Sequence, residues 1–294
     1  MALIPSRLMP GDTVGIAATA SPFDDDLFYR GIEILKSMGF RTLVPEDIFR
    51  KKGYLAGSDA RRARVLNRLF ADPEVKAVMC ARGGFGSMRI LPMLDFEAIR
   101  KNPKIFIGFS DISALLWGIY RKCGLAVFHG PVITTLGDAD PKTRESLSAI
   151  LLSDRIPEIK PEKGITLRSG TASGPVTGGN LTTLCHLTGT AFSPDFGEHI
   201  LLLEDRGEAA YRIDRMLTQM KLAGCFDRLA GLVLGSFENC GRADEIFRIV
   251  RNIFKEKKLP ILAGIDAGHG MPNITVPFGI RADLDADRQV LSFS

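Results

Sequence analysis

Ser110 stands where a strand-like run, Lys104-Ile105-Phe106-Ile107-Gly108-Phe109, gives way to a helix-like run, Asp111-Ile112-Ser113-Ala114-Leu115-Leu116. A hydroxyl at such a junction is held out at the end of a buried strand. The amides that follow point from a helix N-terminus toward any negative charge that forms beside it. That is the setting of a serine nucleophile, by analogy with strand-turn-helix nucleophile elbows. Serine is also a preferred N-cap, so position alone leaves a capping role open. Partners elsewhere in the chain must decide: a base, a group that orients it, and donors for an oxyanion.

Four histidines are available as the base. His129 lies in Phe128-His129-Gly130-Pro131 at a strand end, His186 inside the apolar Leu184–Leu187 run, and His199 in a charged turn after Glu198. His269 stands in Gly268-His269-Gly270, just past the strand-like Ile261–Ile265. Its flanking glycines allow unusual dihedrals and leave the imidazole a clear approach. The residues favour His269, with His129 second; an exposed loop histidine is the alternative. Glu204 ends Ile200-Leu201-Leu202-Leu203-Glu204, where an acid after four aliphatics is costly to bury without a partner. Strand ends are also where functional groups collect in open α/β sheets. Glu204 could instead face solvent or pair with Arg212 or Arg215, and Asp205 or Glu208 could take its role. Gly83-Gly84-Phe85-Gly86, after Val78-Met79-Cys80-Ala81-Arg82, offers backbone amides at another strand end. It matches neither G-x-G-x-x-G nor a phosphate loop with its lysine, so an oxyanion role beside Ser110 suits it better than nucleotide binding. Gly178-Gly179-Asn180 is expected as a further loop with an amide side chain, or as a turn before a helix at Leu181–Leu187.

The elements that must position these residues alternate through the first half. Strands are expected at Thr13–Ala18, Arg41–Pro45, Val75–Cys80 and Ile105–Phe109. Helices are expected over Leu27–Met38, from the Ser58-Asp59 cap to Phe70, and after Ser110. This alternation predicts a parallel sheet with helices on both faces. Past residue 137 the pattern changes. A helix opened by Asp138-Ala139-Asp140-Pro141 runs through Leu152, and residues 153–170 read as a polar, proline-broken linker. Strands then follow at Ile200–Glu204, Gly231–Ser236, Ile261–Ile265, Ile274–Pro277 and Val290–Phe293, with a helix at Ala210–Gly224. The expectation is α/β: an N-terminal Rossmann-like domain over 1–152, a linker, and a C-terminal barrel-like α+β domain over 171–294.

The 294 residues, 45% hydrophobic and 24% charged, have the balance of a globular chain long enough for two cores. Net charge is +4, and the densest basic clusters, Arg61-Arg62-Ala63-Arg64 and Lys255-Glu256-Lys257-Lys258, are short and lack interleaved aromatics. They are expected to be solvated helix faces, not a nucleic-acid groove. No run approaches the roughly 20 apolar residues of a membrane span. Met1-Ala2-Leu3-Ile4-Pro5-Ser6-Arg7 lacks the marks of a secretory signal. Five scattered cysteines with no C-x-x-C pair give little support to a zinc or redox site and point to reduced thiols in a cytoplasmic protein; no cofactor is expected.

Tyr54-Leu55-Ala56-Gly57-Ser58-Asp59, Arg82-Gly83-Gly84-Phe85-Gly86, Gly108-Phe109-Ser110-Asp111, Gly178-Gly179-Asn180-Leu181, Leu203-Glu204-Asp205 and Gly268-His269-Gly270 follow one another in a distinctive order. From Gly15 to Pro277 the chain resembles the LD-carboxypeptidases, serine peptidases also called muramoyltetrapeptide carboxypeptidases, which include microcin C self-immunity proteins. Each motif is weak alone; their order is specific. The resemblance implies a triad of Ser110, His269 and Glu204, with oxyanion donors at the backbone amides of Asp111 and Gly84. It further implies a site in the cleft between a Rossmann-like and a barrel-like domain, no metal, a homodimer, and a muropeptide tetrapeptide substrate that loses its terminal D-alanine. Arg82 and Asn180 are candidates for substrate contact. Rival readings are an immunity-type peptidase acting on a peptidyl- or aminoacyl-nucleotide, and a non-catalytic module that binds an anionic ligand. An α/β-hydrolase is disfavoured because Gly108-Phe109-Ser110-Asp111-Ile112 lacks the second glycine of G-x-S-x-G.

Overall fold

Two helix starts show how directly local chemistry sets the elements. Asp24 and Ser58 sit in extended backbone and accept from the amides of Leu27 and Arg61, opening helices α1 (Asp25–Ser37) and α2 (Asp59–Ala71). α1 buries Phe28, Ile32 and Leu35 on the stripe its 3.6-residue period creates, each burial contributing about 2 kcal/mol. The computed structural model describes residues 2–153 and 155–294. Met1, and Asp154 within the expected linker, lie outside the described residues. The chain divides into one unit of Met1–Ile156 with Ile274–Pro277, and another of Pro157–Asn273 with Phe278–Ser294.

In the first unit, β1 (Thr13–Ala17), β2 (Arg41–Leu43), β3 (Val75–Cys80), β4 (Ile105–Gly108) and β5 (Val127–His129) pair in parallel in the order β2-β1-β3-β4-β5. β1 and β4 are buried along their whole length, as continuous apolar strands between helical layers must be. Helices α3 (Ser87–Ile90), α4 (Phe96–Lys101), α5 (Ser113–Cys123), α6 (Ile133–Leu136) and α7 (Pro141–Leu152) complete the unit. β3 and β4 are neighbours in register, Met79 opposite Ile107. Parallel pairing therefore brings their C-terminal ends out side by side, and with them the glycine turn after Cys80 and Ser110 after Gly108.

The second unit holds β6 (Ile165–Arg168), β7 (Thr171–Asn180), α8 (Leu181–His186), β8 (Ile200–Arg206), α9 (Ala210–Leu222), β9 (Gly231–Glu238), α10 (Ala243–Ile253) and β10 (Ile261–Ala263). The next strand, β11 (Val276–Phe278), belongs to the first sheet beside β5, after which β12 (Arg281–Asp285) and β13 (Val290–Phe293) return to the second. That sheet, in the order β13-β12-β7-β8-β9-β10-β6, is a curled half-barrel. Its centre, β7 to β10, is parallel and its margins are antiparallel. Between Leu203 and Asp205 the β8–β9 register shifts, so Gly235 and Ser236 together oppose Glu204. A bulge of this kind re-aims the side chains beside it.

Several expectations are corrected. Ile274–Pro277, expected in the second domain, contributes instead to β11, which pairs in the first sheet; a short apolar run carries no information about which sheet completes it. Gly178-Gly179-Asn180 is not a loop but the end of β7, paired with Leu202, Leu203 and Glu204. The stretch read as a linker contains β6, which pairs with β10. Arg61 and Arg62 are buried, not solvated. Arg61 binds the Asp47 carboxylate at 2.5 Å and the carbonyl of Ala56, and Arg62 satisfies two backbone carbonyls and Asp59. A buried guanidinium persists where carboxylate and carbonyl acceptors meet most of its donors, as they do here for all but Arg62 Nε. Arg64 and most of the Lys255–Lys258 cluster do face solvent. Among the described residues no helix is long and apolar enough to cross a membrane, and all five cysteines are buried and unbridged.

Candidate active site

Ser110 follows β4 through the extended residue Phe109 and adopts φ 64°, in the left-handed region. A non-glycine side chain there costs of order 1 kcal/mol or more, and such backbone clusters at functional sites. Ser110 is therefore not the N-cap of α5: a 3-10 turn over Ser110–Ile112 comes first, and α5 begins at Ser113. Gly83 packs against it so closely that a methyl group at Gly83 would lie 2.9 Å from Ser110 Cβ and 3.1 Å from Oγ. The turn is pinned by Ser21, whose amide donates to Gly83 O at 3.2 Å and whose Oγ accepts from the Phe85 amide at 3.0 Å. Neither bond uses the amide of Gly84, a residue that is exposed. The Asp111 carboxylate accepts from the Ser87 amide at 2.8 Å, and burial raises its pKa above the usual carboxylate range, against the lowering effect of Ser87.

In the second unit the Glu204 carboxylate is fully buried and its Oε2 lies 2.6 Å from His269 Nδ1. A carboxylate accepts, so Nδ1 carries the proton and Nε2 is left with a lone pair for a proton from elsewhere. The imidazole keeps 12% exposure, enough to meet a reactant. The loop that presents it is held at both sides: Gly268 N donates to Asn273 Oδ1 at 2.9 Å, and Gly270 N to Ser236 Oγ at 2.9 Å, the serine of the β9 bulge. Gly268 has φ 113°, and a Cβ there would stand 2.5 Å from Glu204 Oε2. Gly268→Ala is expected to destabilise the protein by about 2 kcal/mol and to push the carboxylate off His269. Thermal melting and kcat should fall together; an alanine variant with the parent's kcat would show that the close approach is incidental.

The other candidates separate by their contacts. Arg212 lies 3.5 Å from Glu208, so the arginine partners considered for Glu204 give way to His269. Asp205 is held by Asn180 Nδ2 at 2.9 Å and by the Thr182 amide and hydroxyl at 2.9 and 2.7 Å, and burial raises its pKa. Asn180 caps α8, accepting from the Thr183 amide at 3.0 Å, so with its bond to Asp205 its buried amide ties together the C-terminal ends of β7 and β8. Arg82 is exposed and donates to Pro22 O. His129 is fully buried, edge-on to Phe109, and His186 is exposed in the last turn of α8. Sequence reasoning missed Ser21, Ser236 and the buried Arg62. Only Arg62 carried a signal: it lies one turn before Leu66 and two before Leu69, on the apolar stripe of α2.

Residues 14–130 match the model of the LD-carboxypeptidase N-terminal domain and residues 173–284 that of the LD-carboxypeptidase C-terminal domain. The chain belongs to the LD-carboxypeptidase family. It is 37% identical to the probable murein peptide carboxypeptidase of Bacillus subtilis, over 96% of this chain and 91% of that one. It is 31% identical to the microcin C7 self-immunity protein MccF of Escherichia coli, over 99% and 96%. A crystal structure of an MccF-like protein from Bacillus anthracis superposes with a TM-score of 0.94 at 26% identity, covering 99% of each chain. Membership of this family makes the chain a peptidase by descent, and its sheet and half-barrel are those of its structural relatives.

Proposed function

We propose that this LD-carboxypeptidase family member removes the terminal D-alanine from muropeptide tetrapeptides through an acyl-enzyme, with Ser110 as nucleophile, His269 as base and Glu204 as its orienting partner. The observation that carries this reading is the bond between His269 Nδ1 and the buried Glu204 Oε2, which leaves Nε2 as a proton acceptor. On this reading His269 takes the Ser110 proton as Oγ attacks the carbonyl carbon, and returns it to the departing amine of D-alanine. Glu204 stabilises the imidazolium formed between those steps. The amides of Asp111 and Gly84 receive the oxyanion, each worth roughly 3 kcal/mol to the transition state. Water then attacks the acyl-enzyme with the same groups in reverse, and Ser110 is released. Arg82 is the candidate for the substrate's free carboxylate. The murein peptide carboxypeptidase relative supports a cell-wall peptide as substrate. We place the enzyme, as a homodimer, in cytoplasmic peptide recycling.

The self-immunity relative supports a second reading, hydrolysis of a peptidyl- or aminoacyl-nucleotide by the same groups. Both are tested by offering the purified protein muropeptide tetrapeptides ending in D- or L-alanine, and an aminoacyl-nucleotide, with products read by mass spectrometry. Loss of alanine from the D-ended peptide alone is expected. Turnover of only the nucleotide would replace the first reading by the second, and cleavage of only the L-ended peptide would overturn the stereochemical assignment.

A further inference from the structure

One peptide plane in the first unit is gripped at both ends by buried charges. The carbonyl of Gly86 accepts from Arg62 Nη1 at 2.9 Å, and the amide of Ser87, the other end of the same peptide group, donates to Asp111 Oδ2 at 2.8 Å. Arg62 also donates through Nη1 to Thr19 O, two residues past β1, and through Nη2 to Asp59 Oδ1 at 2.5 Å. Its side chain has no exposed surface. The Asp111 residue is 7% exposed. Gly86 has φ 128° and no space for a side chain, since a Cβ would lie 2.9 Å from the Arg62 guanidinium. Asp111 is the residue after Ser110, and the gripped peptide closes the turn whose Gly83 touches Ser110. Nothing in the chemistry assigned above uses either charged group.

We propose that the Asp111 carboxylate and the Arg62 guanidinium are positioning residues that lock the glycine turn to the Ser110 segment, so that the amides of Gly84 and Asp111 converge on one oxyanion. A rotation of the Gly86–Ser87 peptide would break both bonds, taking the Ser87 amide from the buried Asp111 carboxylate and the Gly86 carbonyl from Arg62, which would keep only Thr19 O and Asp59; both losses oppose it. The turn is thus held from β1 and α2 on one side and from the nucleophile's own segment on the other. Because donors to an oxyanion act only when they reach the place where charge develops, a misplaced turn slows the chemical step while ground-state binding is kept.

The inference rests on Ser110 being the nucleophile, and the experiment separates the two. Kinetics on the D-alanine-ended tetrapeptide are compared for the parent, Ser110→Ala, Asp111→Ala, Asp111→Asn and Arg62→Lys, each normalised to folded protein by circular dichroism. Asp111→Ala removes the acceptor and is expected to lower kcat about 100-fold with KM within about twofold. Asp111→Asn restores an uncharged oxygen to the Ser87 amide and is expected to recover most of that loss. Arg62→Lys keeps the charge but supplies one nitrogen where two reach separate acceptors, and is expected to lower kcat at least about tenfold with KM unchanged; it stands in should Asp111→Ala not fold. Parent-like kcat in Asp111→Ala or Arg62→Lys, or an asparagine variant as slow as the alanine one, would overturn the positioning role. Hydrolysis that survives Ser110→Ala would instead remove the nucleophile assignment itself.

Discussion

Replacing Ser110 by alanine is expected to reduce kcat by a factor on the order of 10⁶, the scale at which loss of a serine nucleophile leaves only binding and oxyanion contributions. The effect should lie in kcat, because the hydroxyl contributes bond formation and not affinity. The local backbone sharpens the test. Ser110 holds φ 64° against Gly83, in a conformation that side chains avoid, so stability has been given up at this position. Ser110→Ala keeps that strain and should melt near the parent temperature, whereas Ser110→Gly should relieve it and gain about 1 kcal/mol while equally inactive. An alanine variant that still turns over the tetrapeptide would end the serine mechanism for this chain.

Glu204→Gln is expected to lower kcat about 10⁴-fold with little change in KM, as when the acid of a serine triad is made neutral. The carboxylate Oε2 can only accept from His269 Nδ1, which fixes the tautomer that carries its proton on Nδ1 and its lone pair on Nε2. A glutamine of the same shape can turn its NH₂ toward Nδ1. The ring proton then moves to Nε2, which can no longer accept one. The amide also cannot neutralise an imidazolium in a buried setting. Because shape and burial are preserved, the melting temperature should change far less than the rate. Steady-state kinetics and thermal melts on one preparation check this, and a glutamine variant with near-parent kcat would deny Glu204 its orienting role.

Much of the first sheet was legible because its strands are buried on both faces. Val75–Cys80 and the Ser58-capped α2 are continuous apolar runs or stripes bounded by turn residues, and local periodicity suffices to find them. β7 was hidden for the opposite reason. Thr171–Asn180 holds three glycines and a proline, a composition that signals turns, yet pairing with β8 and β12 makes it a strand. α10 carried a readable stripe of Ile246, Ile249, Val250 and Ile253 that the sequence analysis did not pick out.

The candidate chemistry divides along the same line. By itself the sequence determined which residues stand at strand ends and beside glycines, since burial cost and backbone freedom are properties of a residue and its neighbours: Ser110 after β4, Glu204 in β8, His269 between two glycines. Only the tertiary structure decided that Glu204 meets His269 and not Arg212 or Arg215, and that Arg62 leaves solvent to hold Gly86. Glu204 and His269 are 65 positions apart. Their approach depends on the order of β8 and β9, a register shift between them, and a loop braced by Ser236 and Asn273. Those are pairings between distant backbones, and a local pattern of apolar and polar residues does not encode them.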